Sequence, residues 1–180
     1  RTDHDLKGHQ EVSKQNLSVT DEESKSKFIP HVLELSFGVD RNFVALINYA
    51  YEFDKKRENI ILHLHPRMAP YIAAVFPIIK DERMVSMAKD ICKNLQQDQS
   101  IFYDQSGSLG RRYSRADEIG VPVAITIDED SVKNKTVTLR DRDSTEQIKV
   151  KISELSDVVK KIWVGENLLK LGKKIKTRVK

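Results

Sequence analysis

Ile101-Phe102-Tyr103-Asp104-Gln105-Ser106-Gly107-Ser108-Leu109-Gly110-Arg111-Arg112-Tyr113-Ser114-Arg115-Ala116-Asp117-Glu118-Ile119-Gly120-Val121-Pro122-Val123-Ala124-Ile125-Thr126-Ile127 is the run whose reading decides the fold. It opens on a short apolar strand and closes on a longer one, over residues 121–127. Between them, two glycines three apart sit where a loop runs into a helix over residues 109–119, and Gly120 and Pro122 stop it. Three arginines crowd the start of that helix, although the helix dipole disfavours positive charge there. They read as cations placed for an anion or a nucleobase. A solvated helix with surface Arg–Asp pairs is the bland alternative.

Outward from this run the alternation continues. Residues 72–78 are nearly all apolar, as expected of a strand covered on both faces. Asp81 suits a helix N-cap, and Met84, Val85, Ala88, Ile91, Cys92 and Leu95 make a helical stripe to about Gln97. Downstream, residues 128–131 read as a turn. Residues 136–140 and 147–150 read as two alternating strands joined by the loop Asp141-Arg142-Asp143-Ser144. A helix over residues 152–162 and a basic tail follow, in which Leu168, Leu169, Leu171 and Ile175 suggest a last helix. From about residue 60 the order is therefore β-α-β-α-β-β-β-α. That order predicts an α/β mixed sheet with helices on its faces.

Upstream the character differs. Residues 1–27 are polar and lack clear periodicity. Residues 30–37 alternate well enough for a strand, with Glu34 and Ser36 on one face. Gly38-Val39-Asp40-Arg41 turns into a helix with Phe43, Leu46, Ile47 and Ala50 at helical spacing, through about Phe53. The charged residues 54–59 mark the domain boundary.

The chain has 180 residues, 39% hydrophobic and 32% charged, a globular composition large enough for a real core. No apolar run approaches the roughly 18 residues that cross a bilayer, so no membrane partner is expected. Cys92 falls on an apolar helix face, and a single cysteine excludes an internal disulfide and fits a reducing, cytoplasmic setting. His63 and His65 are two apart, but no cysteine or carboxylate motif accompanies them, and no metal site is expected. Net charge is only +4, yet residues 149–180 hold ten Lys/Arg against three Asp/Glu. That basic end is a candidate phosphate contact, or else a solvated amphipathic tail.

Four blocks carry a resemblance to glycyl-tRNA synthetases of the archaeal and eukaryotic type, a class II family. They are Arg1-Thr2-Asp3-His4-Asp5-Leu6; His31-Val32-Leu33-Glu34-Leu35-Ser36-Phe37-Gly38-Val39-Asp40-Arg41; Gly107-Ser108-Leu109-Gly110-Arg111-Arg112-Tyr113 through Asp117-Glu118-Ile119-Gly120; and Thr138-Leu139-Arg140-Asp141-Arg142-Asp143-Ser144. The block from His31 to Arg41 resembles the third class II signature motif, with Leu35 where the family usually has proline. The block from Gly107 to Gly120 is similar to the anticodon-binding domain shared by several class II synthetases. The resemblance implies three parts: residues 1–57, a remnant of the antiparallel catalytic domain; residues 58–155, an anticodon-binding domain with a five-stranded mixed sheet flanked by helices; and residues 156–180, a basic helical tail. It implies an ATP- and Mg²⁺-using glycine–tRNA ligase, homodimeric at full length. The first two class II motifs are expected upstream of Arg1, so this fragment alone should not aminoacylate.

The resemblance also assigns sites. Arg41, which opens a helix after a glycine, suits the terminal phosphate of ATP and is the expected catalytic and ATP-binding residue. Glu34 and Ser36 resemble the pair that holds the glycine ammonium and closes the pocket, and Arg1 corresponds to an arginine near the glycine. Selecting the smallest amino acid requires such exclusion. Glycine anticodons end in two cytosines, whose edges call for stacking planes, acceptors and donors. Arg111, Arg112, Tyr113, Arg115, Asp117, Glu118, Arg140, Asp141, Arg142 and Asp143 are the expected tRNA-binding set. A self-paired surface loop is the alternative reading of residues 140–143. The competing function is a non-catalytic synthetase-like module that binds nucleic acid or protein.

Overall fold

The computed structural model describes residues 2–175, which divide into two compact units on either side of residues 42 and 43. In the first unit, helix α1 (His4–Ser13) follows Asp3 and ends on Lys14 in the left-handed region. A two-residue-per-strand hairpin, β1 (Val19–Thr20) with β2 (Lys27–Phe28), comes next. Asp21 holds its turn by accepting from the backbone and hydroxyl of Ser24. Residues 29–38 form no strand. This corrects the strand expected over 30–37: alternation supplies side chains, but among the described residues no neighbouring strand supplies a ladder for its backbone. Helix α1 was not expected either, because its 10 residues bury none of their side chains and so carry no apolar stripe.

Helix α2 (Val39–Ala50) crosses from one unit to the other. It stops at Ala50, short of the expected Phe53, because Tyr51 and Phe53 alternate with Glu52 and Asp54 and pair as a strand. Strand β3 (Tyr51–Asp54) forms an antiparallel hairpin with β4 (Asn59–Leu62). The charged run over 54–59, expected as a boundary, is the turn of this hairpin. Asp54 accepts from the amides of Lys56 and Arg57, which drive its carboxyl below the ordinary range against the opposing effect of burial.

The main sheet contains β5 (Ala73–Pro77), β6 (Ile101–Tyr103), β7 (Val123–Ile127), β8 (Thr136–Asp141), β9 (Gln147–Lys151) and β10 (Lys173–Ile175). Its order is β10-β9-β8-β7-β5-β6, with β5 parallel to β6 and β7 and the other pairs antiparallel. The sheet is thus mixed, as expected, but six-stranded rather than five-stranded. The sixth strand comes from the segment read as a terminal helix, where only a 3-10 turn at Leu168–Lys170 forms before β10.

Period-two alternation splits the core. Ala73, Val75, Val123, Ile125, Val137, Leu139, Ile148 and Val150 face helices α3 (Glu82–Leu95) and α6 (Leu155–Trp163). Asp81 caps α3 as expected. Val159 and Ile162 of α6 and Leu168 are buried in this layer, so residues 156–168 belong to the core rather than to a separate tail. The expected turn at 128–131 is a short helix, α5 (Glu129–Asn134), closed by a reciprocal capping box between Asp128 and Ser131. On the opposite face, Ala74, Phe76 and Ala124 meet helix α4 (Leu109–Glu118). Buried side chains such as Phe76 and Ile125 each contribute about 1.5–3 kcal/mol.

Candidate nucleic-acid interface

Helix α4 starts where the two glycines predict. Gly107 takes φ +71°, and the Ser108 hydroxyl accepts from the amide of Arg111. Gly120 (φ +79°) then turns the chain into β7 so tightly that a Cβ there would lie 2.7 Å from Leu64 Cδ1.

The arginines of this helix have separate destinations. Arg112 is 3% exposed and donates to the carbonyls of Pro77 (2.5 Å) and Ile78 (3.3 Å) at the end of β5. Its guanidinium also lies over the Phe76 ring. Arg115 donates to Asp104 Oδ2 and to the Ser106 carbonyl, pinning the loop before the helix. Burial pushes the Asp104 carboxyl up, but the Ser106 amide and Arg115 outweigh it and hold the group below the usual range. Arg111 is exposed at the helix start, and among the described residues its side chain has no ion pair. Glu118 is exposed near the other end.

Asp117 and Arg140 form a buried bidentate pair at 2.9 and 3.0 Å. Arg140 stacks 4.7 Å over the Tyr113 ring, and the Tyr113 hydroxyl bonds Thr126 Oγ1 at 2.7 Å. Burial pushes that phenol up, partly offset by Thr126 and the two arginines. Tyr113, expected as a stacking plane for a base, therefore already stacks on Arg140. Arg142 is also buried; it donates to the carbonyls of Leu64 and Gly120, both at 3.0 Å, and to Asp143. Asp141 accepts from Ser144 and closes the β8–β9 turn. Asp143 accepts from Arg142 and lies 2.7 Å from His63 Nδ1. Burial raises its carboxyl, and Arg142 and His63 bring it below the usual range.

Tyr113, Asp117 and Arg140 line a cavity of about 320 Å³. Its floor is the Asp117–Arg140 pair, its wall Gly110, Tyr113 and Ser114, and its rim Arg57, Asn59, Thr145 and Gln147. Arg57 is a cross-tie. It bonds Asp54 at 3.0 Å, lies 3.6 Å from Asp117, and donates to the carbonyls of Arg142 and Asp143. Asn59 donates to the Ser114 carbonyl at 3.2 Å. The sequence reading missed all four rim residues. Gln147 was signalled by alternation, since it must face opposite the core residue Ile148. Arg57 and Asn59 carried no signal, because only the hairpin brings them to α4.

The expected set thus separates. Arg111 and Glu118 are exposed, Tyr113, Asp117 and Arg140 line the cavity, and Arg112, Arg115, Arg142, Asp141 and Asp143 are engaged with the protein. In the first unit, Glu34, Ser36 and Arg41 are all exposed on the segment that enters α2. A Cβ added at Gly38 would lie 3.7 Å from Arg41 Cδ, and among the described residues Arg41 has no ion pair. Arg1 lies outside the described residues. The described residues contain no group of three or more His, Cys, Asp or Glu suited to a metal, and no helix long and apolar enough to cross a membrane.

Comparison with known proteins bears on this face. A family model described as an anticodon binding domain matches residues 73–162. The chain is 42% identical over 158 residues to a glycine–tRNA ligase of Clostridium acetobutylicum, covering 86% of this chain and 34% of that protein. A glycine–tRNA ligase of Bacillus cereus is 41% identical over 164 residues, covering 89% and 35%. The chain thus spans about a third of the length of these curated relatives. Among solved structures, a prolyl-tRNA synthetase from Cryptosporidium parvum, complexed with L-proline and AMP, superposes with a TM-score of 0.54 at 22% identity. That match covers 57% of this chain and 22% of the other; it shows a shared fold.

Proposed function

Because this chain belongs to the anticodon-binding-domain family, we propose that it reads the anticodon of glycine tRNA for a parent glycine–tRNA ligase. The parent joins glycine to that tRNA, as the names of the relatives suggest, and uses ATP to do so. We assign it to the archaeal and eukaryotic type of the class II enzymes, cytoplasmic and homodimeric, with residues 1–57 as the end of its catalytic domain. The alternative of a non-catalytic module has no support from these relatives, which are ligases by name.

The observation that carries the reading is the cavity of about 320 Å³ formed by residues of the matched domain together with Arg57 and Asn59 of the preceding hairpin. A cytosine edge needs an acceptor for its amino group and donors for its carbonyl and ring nitrogen. The side-chain amides of Asn59 and Gln147 offer both kinds, and Arg57 and Arg140 add donors. Arg111, exposed at the start of α4, supplies a further cation. The buried Asp117–Arg140 pair keeps the floor rigid, so the reading groups need no reordering on binding. Arg112, Arg115 and Arg142 hold the β5 end, the α4 entry and the α4–β7 turn in place.

In the parent, Arg41 would hold a terminal phosphate of ATP; its exposed guanidinium, with no ion pair among the described residues, fits that role. Glu34 and Ser36 would bind glycine, joined by Arg1. The described residues offer no carboxylate cluster for Mg²⁺.

The test is binding of the 180-residue chain to the anticodon stem-loop of glycine tRNA, against a loop with both cytosines replaced. Each well-formed edge contact is worth about 1–3 kcal/mol, so at least a roughly tenfold preference is expected. Equal affinity for the two loops defeats the reading.

A further inference from the structure

The basic residues near the end of the chain are not used by the cavity, and the sheet register shows where they go. Core residues Ile148 and Val150 put Gln147, Lys149 and Lys151 on the opposite face of β9. The pairing Lys173↔Lys149 puts Lys173 on that face as well, one strand further out. Thr138 lies opposite Lys149 and Thr136 opposite Lys151, so the surroundings are polar. Helix α4 packs on Ala74, Phe76 and Ala124, away from this outer part of the sheet.

We propose that Lys149, Lys151 and Lys173 form a phosphate track that holds the single-stranded RNA flanking the bases in the cavity. This rests on the reading given under Proposed function and extends it from base recognition to backbone binding. The geometry is continuous. Gln147 is on the cavity rim, and Lys149 and Lys151 follow at two-residue steps on the same face, about 6.6 Å apart along the strand. Such a step suits successive phosphates of one strand leaving the cavity. Strand positions fix the spacing of the ammonium stems, while the flexible lysine tips accommodate the backbone without reading sequence.

The partners of these lysines are compatible with the role. Asp130 bonds Lys149 at 2.5 Å, and Glu154 lies 3.8 Å from Lys151. Both are ion pairs at the protein surface, weak and screened by salt, which a phosphate exchanges readily. Lys173 is exposed and has no ion pair among the described residues. Gly172 places it: a Cβ there would lie 2.9 Å from both Ile148 Cδ1 and the Lys149 carbonyl oxygen. Only a residue without a side chain lets the chain cross β9 closely enough for β10 to pair.

Anisotropy titrations of the labelled glycine tRNA anticodon stem-loop with the 180-residue chain, over a salt series, test the track. Releasing three single-strand phosphates lowers the log–log salt slope by about 2, at about 0.7 each, so Lys149→Ala/Lys151→Ala/Lys173→Ala should show that loss. Its affinity should fall for native and cytosine-substituted loops alike, leaving their ratio unchanged. Gly172→Val should lose the share of Lys173 alone, about 0.7 in slope. An unchanged slope in the triple variant, with its thermal melt intact, overturns the track. If the unmutated chain fails to discriminate the two loops but the triple variant still loses slope, the track stands and the anticodon reading falls.

Discussion

Residues 30–37 and residues 123–127 carry the same kind of sequence, apolar and alternating, yet they end up differently. In the latter, Val123, Ile125 and Ile127 are at most 1% exposed, between a parallel neighbour and an antiparallel one. In the former, Leu33, Leu35 and Phe37 are 86%, 75% and 76% exposed, and no ladder forms. The contrast teaches that alternation is permission rather than cause. A strand exists when its amides and carbonyls find partners and its apolar face finds a layer to bury against. The polar groups divide in the same way. Arg140 is locked to Asp117 inside the second unit, while Arg41 stands in solvent.

The sharpest way to break this comparison is Asp117→Ala. It strands Arg140 in the interior, and the cost should be about 3–5 kcal/mol in a denaturant titration. A loss below about 1 kcal/mol would mean that the pair is not a structural centre. Gly120→Val comes next. It forces a β-branched residue to φ +79° against Leu64, and should cost about 2 kcal/mol and weaken the packing of α4 on β4. A tolerated valine would show that the turn relaxes freely.

Arg115→Ala is smaller, about 1 kcal/mol at neutral pH, because the pair with Asp104 is partly solvated. It also has a pH signature. The folded-state carboxyls of Asp104 and Asp143 lie below their unfolded value of 3.8. Their stabilisation is therefore complete above that value and is lost as pH falls through it toward the depressed folded values. Melting temperature followed from about pH 6 to about pH 2 should drop below about pH 4, less steeply in Arg115→Ala. A flat profile rules out both carboxylates as stabilising groups. The smallest effect belongs to the first unit: Leu35→Ser should shift stability by no more than about 0.5 kcal/mol, since the side chain is already in water. A larger change would reveal packing on that segment.

Much of the second unit could be read from the chain. Local signals were enough for β6, for α3 with its Asp81 cap, for α4 between the two glycines and Gly120, and for the β8–β9 hairpin. Each combines a periodic apolar pattern with a stop or cap in adjacent residues. The hairpin β3–β4 and the sixth strand were missed because both depend on partners that are not neighbours in pattern. Tyr51 and Phe53 are as compatible with the end of a helix, and Lys173–Ile175 resembles a basic helix until β9 offers its edge. In the candidate site, the residue types were legible but their assignments were not.

The sequence by itself determined that a mixed sheet would form, which faces of its strands would be apolar, and that cations and carboxylates would concentrate on α4 and the β8–β9 loop. These follow from interactions within a few residues. Only the tertiary structure decided that Arg140 pairs with Asp117, that Arg142 ties Leu64 to Gly120, and that Arg57 and Gln147 meet around one cavity. A buried charge takes whichever partner the folded chain brings to it, and partners separated by 23 or 78 positions are set by sheet order rather than by local pattern.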